Sequence, residues 1–203
     1  MLQLLRQSDP ILAAAIERVI AHFGALDESA SDSDDHFVAL CGIVAGQQLS
    51  THVARSIRAR LTAHFGADFT AQNVAATDHE TLRSLGLSGA KARALHALAA
   101  HIIAGNLQIA QLEKLSDEEI AREVTAVKGL GPWSADMFLM FHLGRPDVLP
   151  VGDLGIREAA RRLYDLDERP DAARLGEIAE KWRPNRTLAC RYLWRWLDVD
   201  NGS

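Results

Sequence analysis

Cysteine is scarce in this chain: Cys41 and Cys190 stand alone among 203 residues, each without a second ligand at close spacing. That excludes a disulfide scaffold, a thiolate zinc site and a four-cysteine iron–sulfur cluster. None of the eight histidines falls in a metal-ligand spacing, so no transition metal is expected. Long apolar runs are missing as well. The longest, Phe37 to Gly46, stops at Gln47, far short of the ~20 residues that cross a bilayer. The start, MLQLLRQSDP, lacks the basic opening and apolar stretch of a signal peptide. The expectation is a soluble, cytoplasmic protein with no membrane partner.

What is present is enough apolar material to fold. Hydrophobic residues make up 48% and charged residues 24%, which excludes a disordered chain. The length suits one large domain, or two lobes sharing a core. Bases number 22 and acids 27, for a net charge of −5, so a general polyanion binder is disfavoured. The average hides a pattern, however. Asp27, Glu28, Asp32, Asp34 and Asp35 fall in one Ser- and Asp-rich stretch, and without them the chain is neutral. Bases gather elsewhere, as Arg55, Arg58 and Arg60, as Arg83, Lys91 and Arg93, and as Lys181, Arg183, Arg186, Arg191 and Arg195. Each group could contact phosphates locally or simply form a solvated helix face.

Helical periodicity runs through nearly the whole chain and no segment alternates at period two. Asp9-Pro10 opens a helix to about Phe23, with proline in its first turn. An apolar helix starts near His36, and another across Ser50 to Phe65 carries Val53, Ile57 and Leu61 on one face. Thr77 or Asp78 caps a short helix ending at Gly86. Ser88 to Ala104 buries Ala92, Leu95, Leu98, Ala99 and Ile102. Ser116 and Glu119 form a capping box for a helix to Ala126. Further helices cover Pro132 to Leu143, Leu154 to Tyr164 and Thr187 to Leu197. The class expected is all-α, roughly ten short helices with short connections.

The informative run is Val127-Lys128-Gly129-Leu130-Gly131-Pro132-Trp133-Ser134-Ala135-Asp136. A capped helix enters it and a second helix leaves it. Leu130 tucks between the two helices as a plug. Gly129 and Gly131 supply backbone freedom and close approach, so their amides can face a phosphate oxygen. Pro132 sets the first turn of the second helix, whose positive dipole end points the same way. Such a hairpin grips a DNA backbone without a positive protein; an ordinary glycine-rich turn is the alternative. Farther on, Asp147-Val148-Leu149-Pro150-Val151-Gly152-Asp153 is an extended loop. It ends on an acid at the N-cap of the next helix, a position that suits a negative charge. Asp153 is either a plain cap or a catalytic carboxylate.

Hairpin, Gly-Pro-Trp and the Pro-Val-Gly-Asp loop together resemble the helix-hairpin-helix (HhH-GPD) DNA glycosylases, and within them the DNA-3-methyladenine glycosylase II branch. The resemblance runs from about His36 to Leu197 and takes in Gly46-Gln47-Gln48-Leu49-Ser50, Gly86-Leu87-Ser88 with Lys91-Ala92, and Trp182-Arg183-Pro184 before Arg186 and Trp194. It implies a single two-lobed helical glycosylase domain over 1–203, with the helix-hairpin-helix at about 116–143. It also implies a monofunctional hydrolase that removes 3-methyladenine- and 7-methylguanine-type bases from damaged double-stranded DNA in base excision repair, working as a monomer.

Residue by residue, Asp153 matches the family's essential carboxylate, which stabilises positive charge on the sugar and can orient water. Trp133 stands where bifunctional relatives resemble one another in carrying a lysine nucleophile, so no Schiff base and no strand cleavage are expected. Trp133, Trp194 and Met137 are candidates for the base pocket by stacking, cation–π attraction and polarisable contact. Plain core packing is the alternative for each. Gln47, Gln48 and Leu49 match the wedge region, Gln48 first and Leu49 second, against a buried amide pair. Lys128, Gly129, Gly131 and Ser134 are candidate phosphate contacts. The carbonyls of Thr125, Val127 and Leu130 match positions that hold a structural Na+ or K+, and no other cofactor is expected.

The chain departs from the bacterial pattern in one respect: helical periodicity begins almost at Met1, so the separate N-terminal sheet domain is expected to be absent or reduced to a helix. A rival reading is a non-catalytic helix-hairpin-helix module that binds DNA or scaffolds repair partners. Asp153 and two candidate stacking tryptophans favour the enzyme, since a backbone binder requires neither.

Overall fold

A computed structural model describes residues 1–26 and 35–202. The acidic stretch singled out above therefore lies, except for Asp35, outside the described residues. The chain divides into two compact units, Met1–Ala30 with Gly144–Ser203, and Ser31–Leu143. Among the described residues every regular element is helical, as the periodicity requires. No helix among them is long and apolar enough to cross a membrane.

The unit built from both chain ends holds α1 (Leu2–Ser8), α2 (Pro10–Phe23), α10 (Leu154–Leu163), α11 (Ala172–Ala179) and α12 (Arg186–Asp200). The second unit holds α3 (His36–Gly46), α4 (Thr51–Phe65), α5 (Ala71–Ala76), α6 (His79–Ser84), α7 (Gly89–Ile103), α8 (Asp117–Thr125) and α9 (Pro132–Met137). Sequence reading passed over α5 and α11, each eight residues or fewer, because so short a segment shows barely two turns of periodicity.

Caps explain most helix starts. Asp9, Asp35, Ser50, Thr70, Asp78, Ser88, Ser116, Asp153 and Asp171 each accept a backbone N–H of the following turn. The Ser116–Glu119 box is complete, and Asp78 rather than Thr77 caps α6. On α4 the buried face is Ala54, Ile57, Leu61 and Phe65, while Val53 lies 41% exposed. Ile57 and Leu61 are buried as expected, but the first turn contributes Ala54 in place of Val53. The helix after the hairpin also differs: α9 stops at Met137 and runs on as a π-helical turn, Phe138–His142. This wider turn carries His142 to within 2.6 Å of His36, so one ring donates and the other accepts.

The first unit is held by a buried acid. Asp9 is fully buried, caps α2, and accepts from the Tyr164 hydroxyl, from Trp182 Nε1 at 2.9 Å and from Lys181 Nζ at 3.2 Å. Burial alone pushes its carboxyl up, but Tyr164, Trp182, the Leu12 N–H and Lys181 together hold it below the ordinary value of 3.8. The folded state therefore favours the ionised form, and this stabilisation is present above the unfolded pKa and lost as pH falls through the folded one. Asp9→Asn is expected to cost about 2–3 kcal/mol in urea unfolding at pH 7. The gap between wild type and variant should shrink as pH drops below the ordinary value; a gap that is constant with pH would show that packing alone is lost.

Candidate DNA-binding and catalytic sites

The helix-hairpin-helix forms within the second unit. The capping box starts α8, which ends at Thr125, and α9 begins at Pro132. Leu130 is 4% exposed and plugs the hairpin as expected. The two glycines differ. Gly129 has φ +98°, and a Cβ there would lie 2.5 Å from the Ala94 Cβ on α7. Gly131 is extended, at φ −110°, with nothing within 4 Å of an added Cβ. The backbone freedom expected of both is therefore required only at Gly129; at Gly131 the missing side chain leaves open space in front of the α9 N-terminus. Lys128 is exposed beside them.

The segment after α3 is fastened to this hairpin. Gln47 Nε2 donates to the Gly129 carbonyl at 3.1 Å and to Ser134 Oγ at 3.0 Å. Lys91 Nζ donates to the carbonyls of Ala45 and Gln47 at 2.9 and 2.6 Å. Lys91 thus closes the C-terminus of α3, where the helix dipole favours a cation, and burial pulls its ammonium below the usual lysine value. Gln47 and the buried Ser134 are tied to each other, while Gln48 (φ +55°) and Leu49 (41% exposed) project from the turn. Trp133 is half-buried, whereas Met137 is 6% exposed, within the packing of its unit. The Val127 carbonyl accepts the Leu130 N–H at 3.0 Å.

In the first unit Asp153 caps α10, accepting the Ile156 N–H at 2.8 Å on Oδ1. The same oxygen accepts Trp194 Nε1 at 2.9 Å, from α12. The loop before it is pinned to α12 too. Arg186 donates to both carboxyl oxygens and the carbonyl of Asp147, and Thr187 Oγ1 donates to the Arg145 carbonyl and accepts the Val148 N–H. Asp9 and Asp153 are thus two helix caps that each receive an indole N–H, one wholly buried and the other half-exposed.

The basic groups are mostly spent on the protein itself. Arg58 donates to the Gly42 carbonyl, Lys91 closes α3, Lys181 meets Asp9, Arg183 and Arg186 meet Asp147, and Arg195 meets Asp198. The C-terminal cluster, which looks free of acids in sequence, finds them in three dimensions. Trp194 presents its N–H to Asp153, a contact that sequence reading missed because forty-one residues separate the pair.

Comparison with known proteins gives the family. The model of the HhH-GPD superfamily of base excision DNA repair proteins matches residues 41–184, and the chain belongs to that family. It is 35% identical over 155 residues to DNA-3-methyladenine glycosylase 1 of Schizosaccharomyces pombe, covering 75% of this chain and 68% of that protein. It is 33% identical over 178 residues to the DNA-3-methyladenine glycosylase of Saccharomyces cerevisiae, covering 82% and 59%. The structure of the S. pombe 3-methyladenine DNA glycosylase Mag1 with abasic DNA superposes with a TM-score of 0.80 at 29% identity, covering 93% of this chain and 95% of that one. The chain spans between 55% and 68% of the length of three curated relatives that it matches.

The hairpin generates a contrast that can be measured. Gly129→Ala should destabilise the protein by at least about 1–3 kcal/mol, from its left-handed backbone alone, with the Ala94 clash added. Gly131→Ala should leave urea unfolding within about 0.5 kcal/mol of wild type. Equal losses at both positions would contradict the division of labour between them.

Proposed function

We propose that the protein is a monofunctional DNA glycosylase that hydrolyses the N-glycosidic bond of cationic alkylpurines, of the 3-methyladenine and 7-methylguanine type, in damaged duplex DNA. The observation that carries this reading is the half-exposed Asp153, held at a helix start in a chain of the HhH-GPD family. As the C1′–N bond breaks, its electron pair leaves with the base and positive charge grows on the sugar. A fixed carboxylate stabilises that charge. Water then adds at C1′ and gives up a proton, which Asp153 can accept. A base that is already cationic departs neutral, so a single carboxylate suffices without a general acid.

The hairpin holds the DNA backbone. The amides around Gly129 and Gly131, with Lys128 beside them, meet a phosphate at the positive end of α9. The C-terminal carbonyls of α8 and the turn suit a monovalent cation. Thr125, Val127 and Leu130 would hold it through backbone oxygen, since a carbonyl such as that of Val127 has a second lone pair. Such an ion supplies charge to a phosphate and no chemistry. Gln48 and Leu49 are the exposed wedge candidates, with Gln47 and Ser134 fixing the turn behind them. The half-buried Trp133 would offer stacking to an electron-poor base; the buried Met137 contributes packing. In place of an amine, position 133 has an indole, which supports hydrolysis without strand cleavage. We place the protein in the cytoplasm, acting as a monomer.

Asp153→Asn should lower single-turnover release of 7-methylguanine by ~10²–10³, while a duplex with an abasic analogue still binds. Near-normal release by this variant would return Asp153 to plain capping. Borohydride should trap no covalent adduct with abasic DNA; an adduct that disappears on Lys128→Ala would overturn the monofunctional assignment.

A further inference from the structure

We propose that Trp194 is the positioning residue for Asp153, acting through its indole N–H, and that Gly155 provides the space this contact needs; the inference rests on the catalytic reading of Asp153. A capping bond from Ile156 alone leaves a carboxylate loose, because the terminal torsion of aspartate is broad and roughly two-fold. A second donor from a different helix removes that freedom. Trp194 Nε1 reaches the same Oδ1 at 2.9 Å, so the two N–H groups fix the plane of the carboxylate between α10 and α12.

Gly155 shows that the approach is tight. A Cβ there would lie 3.1 Å from Asp153 Oδ1 and 3.1 Å from both Cδ1 and Nε1 of Trp194. Its backbone is ordinary helix, so glycine is needed for room and not for conformation. The other end of α12 holds the start of the same loop, through Arg186 on Asp147. Arg186 and Trp194 are eight residues apart, about 12 Å along a helix, and together they stretch the loop along one rigid rod. Plain packing would not require the N–H. Trp196, two residues on, is 4% exposed and fills the core, whereas Trp194 stays half-buried with its polar edge on the acid. A base-stacking role would use the ring face and would survive replacement by another aromatic.

Trp194→Phe keeps an aromatic ring and removes the N–H. It should lower single-turnover release of 7-methylguanine at saturating enzyme on the order of 10- to 100-fold, the scale of a small misplacement of a reacting group. Affinity for a duplex bearing an abasic analogue should stay at the wild-type value. Gly155→Ala, which displaces the indole, should give the same rate loss and carries the test if Trp194→Phe folds poorly. In an Asp153→Asn background neither change should lower the rate further, since the contact they break has lost its purpose. Wild-type release by Trp194→Phe and Gly155→Ala, alongside an inactive Asp153→Asn, would overturn the positioning role and leave the catalytic reading standing. Wild-type release by Asp153→Asn would instead remove that reading itself. Equal losses of rate and affinity would mark Trp194 as a packing residue and also refute the proposal.

Discussion

Two N–H groups converge on one oxygen of Asp153, and much of the first unit is arranged around that meeting. The backbone of α10 supplies one donor and α12 the other. Neither helix could hold the acid if its far end were loose. Tyr164, which ends α10, donates to Asp9 at the start of α2, and the same buried acid receives Trp182 just before α12. The fully buried carboxylate thus anchors the elements that present the half-exposed one. Charge of one sign is sealed in the core in one place and left open to solvent in the other, and only the open one can serve the proposed chemistry.

The hairpin in the second unit follows a different economy. In the proposed function it offers phosphates a set of backbone amides, one exposed lysine and a helix N-terminus, a grip compatible with a net charge of −5 in a chain of a DNA repair family. Of the chain's basic clusters, the C-terminal one is largely paired, since Arg183 and Arg186 meet Asp147, while Arg58 and Lys91 are turned to backbone carbonyls. Lys91 and Gln47 hold the turn that carries Gln48 and Leu49 against the hairpin, so the proposed wedge and the proposed backbone grip would be mounted on one another.

Local signals in the sequence foretold the local features well. Helix starts were legible because caps and capping boxes are short patterns, and the hairpin because two glycines, a plug and a proline must follow in order. Asp153 stood out through its place after that hairpin. What was not legible depends on approach between distant segments. Gln47 as a tie, Trp194 as a donor to Asp153 and Gly155 as a gap all need the third dimension, and each involves partners that sequence spacing cannot pair. The exposed Val53 and the π-helical turn at Phe138–His142 have the same origin: local periodicity yields to the neighbour against which a helix packs.

The central claim is that this chain uses one held carboxylate to release bases that already carry positive charge. The most direct measurement compares single-turnover release of 7-methylguanine and of hypoxanthine from otherwise identical duplexes at pH 7. Release of the cationic base should be much the faster, since no group in the proposed chemistry protonates a neutral purine as it leaves. Similar rates for the two would contradict the account and require a general acid that it does not contain.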